Sequence, residues 1–267
     1  MHSLPAAAAL RFRSYPLDGE RVKRGIEPVG FPGPGPGRIA ELDDAARRYH
    51  GVEIMATPPA LLTFDIFGTI VDWRRGLAEA ARAHGVEMGD REFQAAIDHQ
   101  ARAEAGPYRP YVDILAESLV AVVRMDRRVA RSIASEAGRW PLFSDSADAL
   151  RALMRAAPCV AMTNSDQEHG RQVQEQLGFR LSGWLCAEDV RCYKPAAAFW
   201  SAAGARRGVP FGAEWWHVSA YADYDLETAG RLGLTTVFVQ RPHSAWGPST
   251  LTVTDLRGLA TSLGGDS

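Results

Sequence analysis

The chain has 267 residues, 46% of them hydrophobic and 23% charged, and its formal net charge is −2. That is globular composition, long enough for one large core or for a core with a smaller companion. The near-neutral balance excludes a dedicated nucleic-acid binder, which needs a basic excess against phosphates. Cys159, Cys186 and Cys192 are too few for a disulfide framework and match no common zinc spacing.

The start, MHSLPAAAALRFRSYP, has no basic region ahead of its apolar patch, and Arg11 and Arg13 are its one feature in favour of organelle targeting. No apolar stretch approaches the roughly 18–20 residues that span a bilayer. A cytoplasmic location without a membrane partner is therefore expected. VGFPGPGPGR (Val29 to Arg38) alternates Gly with Pro, which blocks helix and sheet ladders alike. Residues 1–54 read as a disordered extension or, if Met55 is the true start, as sequence outside the protein. No chemistry is placed there.

From residue 60 the pattern changes to short apolar runs: ALLTFDIF, APCVAMTNS, SGWLCAED, WWHVSAY and LTTVFVQR. Between the later ones lie amphipathic segments, SADALRALMRA, HGRQVQEQLG, AAAFWSAAGARRG and DLETAGRLG, with Gly178, Gly208 and Gly233 as helix stops. Apolar strands alternating with helices of this length predict a doubly wound, Rossmann-like α/β core with a parallel sheet covered on both faces. The stretch from Trp73 to Trp140 has no strand-like run and reads as four or five helices. The expected organisation is an α/β core over 55–74 and 141–267, with a helical cap over 75–140 inserted after the first strand.

Ligands of open parallel sheets bind at the carboxyl ends of the strands. The first strand ends at Asp65, followed by Phe67, Gly68 and Thr69. The second ends in MTNSD, with Thr163, Asn164 and Ser165. CYKP brings Lys194 after the third, and SAYADYD brings Ser219, Asp223 and Asp225 after the fourth. Each residue alone is most simply a turn, a cap or a surface lysine. All four groups, in this order and at these strand ends, point to one site.

This set resembles the haloacid dehalogenase superfamily over roughly residues 60–242. FDIFGTIVDW carries the nucleophile position at Asp65, AMTNS the second motif at Thr163, YKP the third at Lys194, and YDLETAGRLGL the fourth-motif acid, with Asp225 preferred over Asp223. The variant DIFGTIVDW is most similar to the 2-haloacid dehalogenase (type II) branch, where an aromatic replaces the second aspartate of the superfamily's phosphatases. The resemblance implies a hydrolase of carbon–halide bonds. Asp65 would displace halide from a short 2-haloacid, leaving an ester that water hydrolyses with Asp225 orienting or deprotonating it. Lys194 would keep Asp65 ionised. Thr69, Thr163 and backbone amides after the first strand would hold the substrate carboxylate, with Asn164 and Ser219 as further donors.

Phe67 fits that chemistry. A phosphatase needs a proton for its alkoxide leaving group, whereas halide leaves as a stable anion, and an aromatic makes the pocket drier. No cofactor is expected. The alternatives are a magnesium-dependent phosphatase or phosphonate hydrolase, with Asp65 and Asp225 as metal ligands, and a catalytically idle binding relative. The branch's cap arginine falls where this chain carries Asp98 or His99, so Arg102 or Arg109 is expected to substitute. The tyrosine expected after the lysine motif is replaced by Phe199 and Trp200, of which Trp200 is taken to line the pocket. His217 reads as a satisfied core histidine. The partner is a small halogenated acid, and an exposed apolar cap helix would favour a homodimer.

Overall fold

Side chains of a strand alternate between two faces, and here both are apolar: Leu62 and Phe64 pack to one side, Leu61 to the other. Such a strand is stable only with cover on both sides. The computed structural model describes residues 59–244 and 246–264 and puts this strand inside a six-stranded sheet. The strands are β1 (Leu61–Phe64), β2 (Cys159–Thr163), β3 (Gly183–Cys186), β4 (Trp215–Ser219), β5 (Thr235–Val239) and β6 (Leu251–Val253). All neighbours pair in parallel, in the order β3-β2-β1-β4-β5-β6. The expected α/β fold is observed. The expectation for residues 1–54 lies outside the described residues.

The helices are α1 (Trp73–Arg82), α2 (Asp90–Glu104), α3 (Tyr111–Val123), α4 (Arg127–Ser135), α5 (Ser146–Ala156), α6 (Gln167–Leu177), the single turn α7 (Ala187–Val190), α8 (Ala197–Arg207), α9 (Glu227–Arg231) and α10 (Leu256–Ser262). Leu150 and Leu153 of α5, Val173 and Leu177 of α6, and Leu256 and Leu259 of α10 share one core with Leu62, Phe64 and Val218. Phe199, Trp200 and Ala203 of α8 build the other core with Leu61, Met162 and Trp215.

Four helices (α1 to α4), a 3-10 turn (Ala137–Arg139) and then α5 separate β1 from β2, with no strand among them. This insertion is fastened to the sheet edge at the α2–α3 junction. The Asp166 carboxylate accepts from the amides of Tyr111 (2.8 Å) and Val112 (2.7 Å), a negative charge at a helix start. The Tyr193 hydroxyl accepts from the Arg109 amide at 3.0 Å and donates to the Arg109 carbonyl.

One strand is new. β6 is only three residues long and incompletely buried, and it follows a loop with two prolines, so its apolar signal is too short to stand out. Trp215 and Trp216, by contrast, are core residues, as strand alternation between two covered faces requires. β1 lies between β2 and β4, and the connections leave it in opposite directions, which opens a crevice at its carboxyl end.

Candidate active site

Asp65 is the first residue beyond β1, and its amide donates to Val218 O of the adjoining β4 at 3.0 Å. Three further groups meet it. Lys194 Nζ lies 3.0 Å from Asp65 Oδ1 and 2.8 Å from Asp225 Oδ2. Thr69 Oγ1 donates to Asp65 Oδ2 at 2.9 Å and accepts from the Ala220 amide at 3.0 Å. Both oxygens of Asp65 are therefore held, and the Thr69 hydroxyl is fully used in holding one of them.

Asp225 reaches the cluster through a π-helical turn, Ala222–Leu226, closed by Leu226 N donating to Tyr221 O at 3.1 Å. Such turns recur at functional sites because one extra residue re-aims a side chain. Here the turn buries Asp225 completely and leaves Asp223 exposed, so Asp225 is the acid that Lys194 meets. Behind it, His217 Nε2 lies 3.1 Å from Asp225 Oδ2, without the alignment of a hydrogen bond. His217 Nδ1 is 2.8 Å from the Thr63 hydroxyl, which also accepts from Trp215 Nε1 at 2.8 Å. His217 is thus joined to the charged cluster rather than closed within the core.

Two buried carboxylates share one buried ammonium, and they are pushed in opposite directions. Burial raises Asp65 above the ordinary carboxylate range, and Asp225 adds to the rise, more than Lys194 takes back. Burial would raise Asp225 too, but Lys194 and His217 outweigh it and hold Asp225 below that range. Burial disfavours the Lys194 charge, yet Asp225 and Asp65 together raise its pKa. Lys194 lowers Asp65 through its charge and its hydrogen bond, but burial and Asp225 together outweigh it. The thiols of Cys159 and Cys186 are pushed up to about 12 by burial, which leaves no thiolate nucleophile at either position.

The loop after Asp65 is shaped by one glycine and one arginine. Gly68 has φ +98°, and a Cβ there would come within 2.1 Å of the Tyr221 hydroxyl oxygen, so only glycine fits. Arg241 Nε donates to Thr69 O at 3.0 Å, while its Nη1 meets Asp145 Oδ1 at 2.9 Å and ties the loop to the start of α5. Arg241, in the segment RPHSAWGP, is therefore a brace beneath the site. The Ile66 and Phe67 amides have no intramolecular acceptor among the described residues.

Aromatic groups border the space beyond Asp65. Tyr111, Tyr221 and Tyr224 all lie near enough to feel the Asp65 charge, and burial raises the pKa of each phenol, so all three stay neutral. Tyr221 Oη accepts from Trp73 Nε1 at 2.9 Å, leaving its own proton free to donate. The Phe67 ring packs against Tyr111, Trp140 and His169 with centroid separations of 6.4, 6.3 and 6.1 Å. Asn164 is fixed on both sides of its amide: Oδ1 accepts from Lys194 N at 2.7 Å, and Nδ2 donates to Lys194 O at 3.1 Å. Nδ2 also donates to Glu104 Oε2 at 2.9 Å, a carboxyl that sequence reasoning did not single out.

Several expected site residues lie elsewhere or are already engaged. Arg102 is exposed, because its neighbours Gln100 and Glu104 turn inward and a residue midway between them on a helix faces away. Arg109 is paired with Glu117 on the surface. Asp98 accepts from Gln94 Nε2 at 2.8 Å on an exposed helix face, and His99 Nδ1 is buried without a partner among the described residues. Trp200 is fully buried and packs edge-on against His217 at 4.8 Å, so it supports the site from behind. The Thr163 hydroxyl donates to Ser165 Oγ at 3.2 Å, and Ser219 Oγ accepts from the Tyr221 amide at 3.0 Å. Among the described residues, no helix is long and apolar enough to cross a membrane.

A family model described as haloacid dehalogenase-like hydrolase matches residues 59–233. A search of curated proteins gives no match. Among solved structures, one L-2-haloacid dehalogenase is 26% identical, with 77% of this chain and 99% of that one covered and a TM-score of 0.67. A defluorinating L-2-haloacid dehalogenase is 24% identical over 77% of this chain and 95% of its own, with a TM-score of 0.67. The L-2-haloacid dehalogenase from Xanthobacter autotrophicus, with chloropropionic acid covalently bound, is 16% identical over 78% of this chain and 100% of its own, with a TM-score of 0.67.

Proposed function

Because the chain belongs to the haloacid dehalogenase-like hydrolases, we propose that it hydrolyses a carbon–halogen bond of a short 2-haloacid through an ester on Asp65. The observation that carries this reading is the Phe67 ring, standing two residues after the nucleophile among Tyr111, Trp140 and His169. An aromatic there donates no proton to an alkoxide and keeps water from Asp65, and a carboxylate poorly hydrated on one side is the better nucleophile toward carbon.

The first step forms a bond from an Asp65 oxygen to C2 and breaks the carbon–halogen bond, inverting C2. Thr69 orients the nucleophile, and Lys194 balances the charge that moves off Asp65. The free amides of Ile66 and Phe67, with the Tyr221 hydroxyl, supply donors for the substrate carboxylate. In the second step water attacks the ester carbonyl carbon of Asp65. Asp225 Oδ1 is a buried acceptor with no partner among the described residues, suited to hold that water. Its depressed pKa makes Asp225 an orienting group rather than the base.

A magnesium-dependent phosphatase would need Asp65 and Asp225 to face a cation. In this site both carboxylates turn to the Lys194 ammonium, the third position is Phe67, and among the described residues no three His, Cys, Asp or Glu side chains are grouped to hold a metal. The donor set does not fit the ion, and no step is routed through one.

The test is chloride release from (S)-2-chloropropionate without added metal, by the parent chain and by Asp65→Asn. Release by the parent alone is expected. Equal release by both, or none from a folded parent, contradicts the proposal.

A further inference from the structure

One carboxyl beside the site, Glu104, takes no part in the two steps proposed for Asp65. Glu104 is the last residue of α2 and is partly buried where the helical insertion meets the sheet edge. Its Oε2 accepts from Asn164 Nδ2, and Asn164 is locked to the backbone of Lys194, the residue whose ammonium holds Asp65. Glu104 stands one helical turn beyond Gln100, whose Oε1 accepts from the Tyr111 hydroxyl at 2.8 Å, so it lies on the helix face turned to the aromatic lining of the site formed by Tyr111 and Phe67. Neither arginine expected there takes that place: Arg102 is exposed and Arg109 is bound to Glu117.

A carboxylate on that face would repel a departing halide, whereas a protonated carboxyl would donate to it. Burial pushes Glu104 up to about 7, against the Asn164 hydrogen bond and the Lys194 charge. Tyr111, Tyr193 and Tyr224 are the other titratable groups within its field, and burial keeps each of them neutral. So the Phe67 position lacks an acid, but the site as a whole does not.

We propose that Glu104 donates its proton to the leaving group, which fits this site to carbon centres bearing a leaving group more basic than chloride or bromide, fluoride among the halides. This rests on Asp65 attacking carbon. In the first step the Asp65 carboxylate bonds to carbon, the carbon–fluorine bond breaks, and fluoride leaves with the Glu104 proton as HF. In the second step water adds to the Asp65 ester carbonyl, the alcohol product departs with one water proton, and the other returns to Glu104. The sum is one water consumed, one alcohol and one HF formed, with both carboxyls restored.

The experiment compares halide release from fluoroacetate, chloroacetate and bromoacetate by the parent chain, Glu104→Gln and Asp65→Asn. Glu104→Gln keeps an oxygen for Asn164 and preserves the fold. It should lower fluoride release by about a hundredfold or more, the scale of a general acid, and change bromide release by less than about threefold. Fluoride release by the parent should fall as pH rises through about 7, where Glu104 loses its proton. The carboxylic-acid C=O infrared band should be present below that pH, absent above it, and missing in Glu104→Gln.

Equal loss for all three halides, no loss for any, or no such infrared band would overturn the role of Glu104. Asp65-dependent release in those cases would leave the reading of Asp65 standing. No release of any halide by the parent would overturn both.

Discussion

Lys194 Nζ lies 2.8 Å from Asp225 Oδ2, with both side chains wholly out of solvent. A buried charge persists only with a partner, and here each partner also serves the nucleophile: Lys194 binds Asp65 directly, and Asp225 raises it from behind. Lys194→Met leaves two buried carboxylates facing each other. It should cost about 3–5 kcal/mol of stability as well as activity, read by denaturant titration. Lys194→Arg should not restore turnover, because a planar fork cannot sit at one point between two carboxylates.

Asp225→Asn should separate the two chemical steps. Alkylation of Asp65 needs no water, whereas ester hydrolysis needs the oriented one. With (S)-2-chloropropionate, this variant should release about one chloride per chain and then stall. Intact-mass measurement should show the propionate ester retained, and Asp65→Asn should show no added mass.

The pH dependence follows from the opposed shifts. Asp65 is raised and must be ionised to attack, so activity should fade on acidification at a higher pH than an ordinary carboxylate's roughly 3.9. Asp225 is lowered, so the stability it contributes is present above that ordinary value and lost as pH falls through its folded value. Lys194 is raised, and its contribution is lost only as pH climbs past the ordinary lysine value. Melting temperature against pH should therefore drop in acid more steeply for the parent than for Asp225→Asn.

Gly68→Ala should destabilise the chain by about 1–3 kcal/mol through its positive φ alone, with the collision against Tyr221 added. Tyr221→Ala removes the collision but not the φ. The glycine substitution should therefore cost less in that background, a non-additivity measurable by a double-mutant cycle.

The sequence made the α/β architecture legible because five strands, each buried on both faces, leave long apolar runs separated by helical ones. Asp65, Lys194 and Asp225 were legible for a related reason, since charges at the ends of such runs have few places to go. Glu104 was not. It is one of two glutamates and three aspartates between Glu87 and Glu117, and helical phase alone does not reveal which of them meets Asn164. Arg102 was misplaced by the same blindness, being two residues from the inward-facing position. His217 looked self-contained because its partners Thr63 and Asp225 are brought to it by β1 and by the π-helical turn, neither of which periodicity predicts.

If Asp65 carries the intermediate, a single turnover in oxygen-18 water marks it. With protein in excess over (S)-2-chloropropionate, water attacks the ester carbonyl, so the label should enter the Asp65 carboxylate and the lactate should leave with unlabelled oxygen at C2. Label in the lactate hydroxyl with none in the Asp65 peptide would mean that water attacks carbon directly, and would contradict the account.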